Sequence, residues 1–209
     1  MMIAVVNQKG GAGKTTLLYN LAGILAERGP VSILDTDPQG SVTTAWGMRT
    51  RPDLPITVSH APAFPLDHPT LSAPLALVDT PPGSERHTLA ALGLADLALV
   101  PITPSALDLL AALPLVGMAQ QARKANPRLV LLAVMNQVKA GSVIPGTVAD
   151  MARDHGLKLA RTSIPDTVAL REATLYGLPL NFHAPRHPAV EAFRALAREV
   201  MEAIRHGKK

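Results

Sequence analysis

The sequence predicts an α/β fold: a single doubly wound, mostly parallel sheet with helices on both faces, in one domain over residues 1–209. Three observations lead there. Short unbroken apolar runs of strand length recur along the chain, each ends in polar residues, and most are followed by helical spacing. A length of 209 residues fits one domain and leaves little room for a second.

The elements follow in order. Residues 2–6, Met-Ile-Ala-Val-Val, read as a buried parallel strand that runs into a Gly-rich loop. Thr15 to Arg28 carries Leu17, Leu18, Leu21, Ala22, Ile24 and Leu25 at helical spacing, and Gly29-Pro30 stops it. Val31 to Leu34 is the next strand, ending in Asp35-Thr36-Asp37. Leu75 to Val78 ends in Asp79-Thr80-Pro81-Pro82-Gly83, Leu97 to Val100 in Pro101-Ile102-Thr103-Pro104, and Arg128 to Met135 in Asn136-Gln137. Ligands of such sheets bind beyond the carboxyl ends of the strands, where these polar residues converge. Ser105 to Lys124 is a long helix with a kink at Pro114, and Pro188 to His206 a terminal one. Thr50 to Pro74 holds six prolines in 25 residues, which no central strand accommodates. It reads as an extended surface connection with an edge strand at Ile56-Thr57-Val58.

Composition narrows the chemistry. Apolar residues make up 47% of the chain and charged ones 17%, which excludes a disordered polyelectrolyte. Cys is absent, so disulfides, thiolate metal sites and cysteine nucleophiles are all excluded. The longest apolar run, Leu129 to Met135, is far short of a membrane span, and no basic region precedes the apolar N-terminus as in a signal peptide. The expectation is a soluble cytoplasmic protein. His183 and His187 are flanked by Pro185 and Pro188, which oppose the helix that an i,i+4 metal pair needs.

Chemistry concentrates in Lys9-Gly10-Gly11-Ala12-Gly13-Lys14-Thr15-Thr16, between the first strand and the first helix. A phosphate needs backbone N–H donors free of side chains, a helix N-terminus behind them and a cation, and this loop offers all three. Lys14 reaches the β- and γ-phosphates in such a loop, and Thr15 offers its hydroxyl to Mg²⁺. The usual G-x-x-x-x-G-K-[ST] pattern is altered: Gln8 replaces its first Gly, and a second lysine, Lys9, stands at the entrance.

Lys9-Gly10-Gly11-x-Gly13-Lys14-Thr15-Thr16, Asp35-Thr36-Asp37-Pro38-Gln39-Gly40-Ser41 and Val78-Asp79-Thr80-Pro81-Pro82-Gly83 resemble the deviant Walker A, A′ and B segments of the ParA family of partition ATPases, within the MinD/ParA superfamily of P-loop NTPases. Pro101-Ile102-Thr103-Pro104-Ser105 resembles a further segment of that family. The length is similar to the short ParA type without an N-terminal DNA-binding extension. The resemblance implies an ATP-sandwich homodimer in which Lys9 of one protomer reaches the phosphates held by the other, in the manner of an arginine finger. It implies that Asp37 orients the attacking water, that Asp35 lies near the metal, and that Asp79 holds Mg²⁺ through water. Read from residue type alone, Asp35 is also an ordinary turn former or helix cap. Asn136 and Pro165 match the positions that flank the adenine ring.

Partner surfaces are less sharply drawn. Residues 1–100 hold six Lys/Arg and eight Asp/Glu, a net of −2, whereas residues 101–209 hold fourteen and eight, a net of +6. That half suits contact with a phosphate backbone. The resemblance implies nonspecific DNA binding, nucleoid association and a ParB-like or other cargo adaptor that stimulates slow hydrolysis. Asp166 and Ala169 stand where the family commonly has arginines, leaving Arg171 and Arg161 to substitute. The last helix carries Val190, Phe193, Leu196, Ala197, Val200, Met201 and Ile204 on one stripe, which reads as packing on the sheet or, in a MinD-like membrane-cycling regulator, as a surface anchor.

Overall fold

Along the central strands successive side chains point to opposite faces, and each face has found its own helices. The computed structural model describes residues 1–62, 73–142 and 144–207. Strands β1 (Met2–Val5), β2 (Val31–Asp35), β3 (Ile56–His60), β4 (Leu75–Asp79), β5 (Leu97–Ile102), β6 (Val130–Val138) and β7 (Leu159–Pro165) form one sheet in the order β3-β2-β4-β1-β5-β6-β7. Every pairing is parallel. Ile3, Val5, Ile33, Leu77 and Leu99 pack under α1 (Lys14–Ala26), α7 (Val168–Leu175), α8 (Leu180–His183) and α9 (Pro188–Gly207). Met2, Ala4, Val6, Val78 and Val100 pack under α3 (Glu85–Leu94), α4 (Ala106–Ala112), α5 (Pro114–Ala122) and α6 (Ile144–Asp154). The short α2 (Ser41–Gly47) adds Val42 to the first face. The predicted doubly wound parallel sheet is thus the observed one.

Three local outcomes differ from the sequence reading in detail. The helix expected over Ser105 to Lys124 is two helices, because Pro114 cannot donate within a continuing turn and instead opens α5 at its first position. Helix α1 is buried nearly all round, since α8 and α9 cover the side that a stripe would have left to water. Strand β6 continues through Asn136 and Gln137 to Val138, so these residues lie inside the strand. The edge strand expected at Ile56 is β3, beside β2, while residues 63–72 of the Pro-rich connection lie outside the described residues.

The apolar stripe of α9 is buried against the sheet and α1, with Phe193, Leu196, Val200 and Ile204 at most 3% exposed. That burial resolves the two readings of the stripe in favour of packing. No helix among the described residues is long and apolar enough to cross a membrane.

A carboxylate ties α9 to the far edge of the sheet. The pairing of β7 with β6 shifts register between Leu159 and Ser163, which turns neighbouring N–H groups out of the ladder. Glu199 on α9 accepts from Arg161 N (2.8 Å), Thr162 N (2.9 Å) and Thr162 Oγ1 (2.5 Å). Burial alone would raise its pKa, but these hydrogen bonds and the Arg161 charge hold it below the usual 4.5. A depressed carboxylate stabilises the fold above its ordinary pKa and loses that contribution as pH falls through the lowered value. We expect Glu199→Gln to lower stability at pH 7 by about 1–3 kcal/mol, with the difference from the unaltered protein shrinking below pH 4.5, measured by urea unfolding across pH.

Candidate functional site

The loop after β1 is shaped by one close approach. Gly13 sits at φ 83° before α1, and a Cβ there would lie 2.4 Å from Asn136 Nδ2. Only glycine meets both the left-handed backbone and the missing volume. From beneath, Asn136 Nδ2 donates to Ala12 O (2.8 Å) and Gln137 Nε2 to Gly11 O (3.1 Å). The N-terminus of α1 has no side-chain cap and no acidic residue in its first turn, so its N–H groups and positive dipole end remain available to an anion. Lys14 is buried here, with Nζ 3.4 Å from Lys9 O, and burial lowers its pKa against the opposing pull of Asp79 and Asp37.

Beside the loop, β4 lies between β1 and β2, in register at Val5↔Asp79 and Asp35↔Asp79. Asp79 is 1% exposed; its Oδ2 accepts from Thr15 Oγ1 (2.7 Å), while Oδ1 is buried with no partner among the described residues. Burial pushes its pKa up to about 7, with the Thr15 hydroxyl and Lys14 pulling down and Asp35 and Asp37 pushing up. An orphaned carboxylate oxygen beside a threonine hydroxyl is a hard-oxygen donor set, and it fits Mg²⁺.

Asp35 ends β2 in register beside Asp79 and uses both of its oxygens on its own chain. Its Oδ2 accepts from Thr43 N and Oγ1, both at 2.8 Å, and its Oδ1 from Asp37 N (3.3 Å), so both oxygens hold the loop that follows β2. Asp37 is half-buried at the head of that loop; its Oδ1 accepts from Gln39 N (2.9 Å), and its carbonyl accepts from Gly40 N (2.9 Å) and His60 Nε2 (3.1 Å). Asn136 likewise uses its amide N–H on the loop backbone, so in this structure it braces the site from inside β6. Pro165 ends β7 opposite Val138, on the strand next to it.

Lys9 turns to its own chain. Its Nζ pairs with Asp108 on α4, whose other oxygen accepts from Thr103 Oγ1 (2.5 Å). Burial would raise the Asp108 pKa, but the Lys9 and Thr103 hydrogen bonds and the Lys9 charge keep it below the usual range. Asn7 completes the contact: its Oδ1 accepts from Lys9 N (3.0 Å) and its Nδ2 donates to Pro101 O (2.7 Å). The segment Pro101 to Ser105 therefore stands against the loop entrance. Sequence reasoning passed over Asn7, Asp108, Thr43 and His60, and named Gln137 only among the polar residues at strand ends. A lone acid in the first turn after Pro104 was the one visible signal, for Asp108.

Comparison with known proteins agrees with this geometry. The CobQ/CobB/MinD/ParA nucleotide binding domain matches residues 3–180. The chromosome-partitioning ATPase Soj of Thermus thermophilus is 33% identical, over 97% of this chain and 96% of its own. The maintenance of carboxysome distribution protein A of Halothiobacillus neapolitanus is 32% identical over 84% of each. The solved ATP complex of Cyanothece McdA superposes with a TM-score of 0.78 over 96% of each chain, and at 18% identity supports the fold alone. The glycine loop, the strand-end carboxylates and these matches together place the chain in the CobQ/CobB/MinD/ParA nucleotide-binding family.

Proposed function

We propose that the chain is a ParA-like, Mg²⁺-dependent ATPase that forms an ATP-sandwich homodimer, binds DNA without sequence preference and positions a cargo through partner-stimulated hydrolysis. The observation that carries this reading is the convergence of Lys14, Thr15 and the orphaned Asp79 oxygen at one end of the sheet. In this reading the Gly10 to Thr16 backbone and Lys14 hold the phosphates, Thr15 and Asp79 hold the metal, and Asp37 orients the attacking water. Bound Mg²⁺ would offset phosphate charge as a Lewis acid.

For Lys9 to act on a second protomer, its ion pair with Asp108 must first open. The Lys9 side chain is 47% exposed and that of Asp108 only 7%, so water competes for one end of the pair alone, and the latch is worth about 1 kcal/mol. Such a latch biases dimerisation without preventing it.

DNA contact rests on the charge of the second half and on the relatives. Arg161 is paired with Glu199 and Glu202, and Arg171 with Asp166, but both are exposed, so each would exchange a surface pair for a phosphate. Lys124, Arg128 and Lys139 are exposed, take part in none of these pairs, and are further candidates. The cargo reading follows relatives named for chromosome partitioning and carboxysome distribution. The α9 stripe lends the membrane-cycling alternative no support, because it lies in the core.

Phosphate release tests the activity: Lys14→Ala is expected to lower turnover by at least about 100-fold, and equal rates in the two proteins would remove the ATPase reading. Binding to random-sequence duplex DNA is expected only with ATP, and to fall steeply between roughly 50 and 200 mM salt. Asp108→Asn should free Lys9 and lower the concentration at which the ATP-bound protein dimerises by about two- to fivefold in sedimentation measurements. A higher concentration in that variant would make Asp108 a requirement for dimerisation instead of a brake.

A further inference from the structure

The backbone between β3 and the Pro-rich connection touches both carboxylate-bearing segments of the site. His60, the last residue of β3, pairs in register with Asp35, and Ala61 N continues the ladder to Asp35 O (2.8 Å). Its ring lies over Gly40, where an added Cβ would be 3.5 Å from Nε2, and Nε2 donates to Asp37 O (3.1 Å). Two residues on, Pro62 O accepts from Nε2 of His87 on α3 (3.1 Å). Nδ1 of the same ring lies 2.7 Å from Oγ of Ser84, the residue that caps α3. The Asp37 loop follows β2 and Ser84 follows the Asp79 segment of β4, so two loops at the site share one anchor of three residues.

We propose that His60 and His87 are positioning residues, which clamp the Asp37 loop and the start of α3 to the His60–Pro62 backbone so that the two move together. The inference rests on the reading of Asp37 as the residue that orients water. Strand β3 is one of the two edge strands, with β2 as its one neighbour among the described residues, so its outer side is free to follow a change in either loop. The clamp gives the Pro-rich connection a role in the site: its residues His60 to Pro62 report the state of one carboxylate loop to the other. An orienting residue displaced by part of an ångström loses much of its effect on rate while ground-state binding is kept.

The experiment compares wild type, Lys14→Ala, His60→Ala, His60→Gln and His87→Ala in phosphate release, in binding of a fluorescent ATP analogue with Mg²⁺, and in hydrogen exchange at the amides of Asp37, Gln39 and Gly40. His60→Ala is expected to lower kcat about tenfold with analogue affinity within about twofold. His60→Gln, which returns an N–H donor at similar reach, restores most of the loss. His87→Ala speeds exchange in the Asp37 loop, which it does not touch, and this is the signature of coupling. Turnover by His60→Ala within twofold of wild type, or unchanged loop exchange in His87→Ala, overturns the proposal. Should wild type turn over no faster than Lys14→Ala, the ATPase reading has failed; exchange then decides the clamp, faster in both histidine variants for it and unchanged against it.

Discussion

One buried oxygen organises the upper edge of this sheet. Asp79 Oδ1 is buried with no partner among the described residues, a state that a folded protein keeps only where something else compensates it. Around it stand a hydroxyl from α1, the buried ammonium of Lys14 and a second strand-end carboxylate one strand away. The backbone adds its own ties here. Thr36 N and Oγ1 both donate to Asp79 O, at 3.0 and 2.6 Å, and Thr80 Oγ1 donates to Val5 O (2.9 Å). Loop, metal-type donors and Asp37 segment are therefore fixed relative to one another by β1, β4 and β2, before any ligand arrives.

The same edge holds residues in contacts that nucleotide binding would have to rearrange or exploit. Lys9 lies against Asp108, and Asp37 caps its own turn through Gln39. Each is a modest, part-exposed interaction, which competition with a phosphate or a metal can reverse. The deep contacts are of another kind. Asn136 to Ala12 and Thr15 to Asp79 are enclosed, and they keep the loop in shape whichever way the outer groups turn.

On the basic half of the chain, the net charge already counts its acids, and folding decides which cations are paired with them. Arg161 and Arg171 are neutralised by Glu199, Glu202 and Asp166, and Arg194 by Glu27 and Glu191. Arg161 and Glu199 are far apart in sequence, and α9 brings them together by packing its apolar face on β7.

The sequence by itself determined the layered fold and the chemistry of the loop, because both are local. Apolar runs of strand length declare a sheet buried on both faces, and Gly10 to Thr16 carries its conformational demand, cation and hydroxyl within a few residues. Tertiary structure alone decided where the long-range partners lie. That Lys9 meets Asp108, that Asn136 lies under Gly13, that Asp35 holds Thr43 and that His60 reaches Asp37 all depend on which strands are neighbours. Local spacing predicts a parallel sheet but leaves its strand order open, and contacts between side chains from different strands exist only once that order and its register are set.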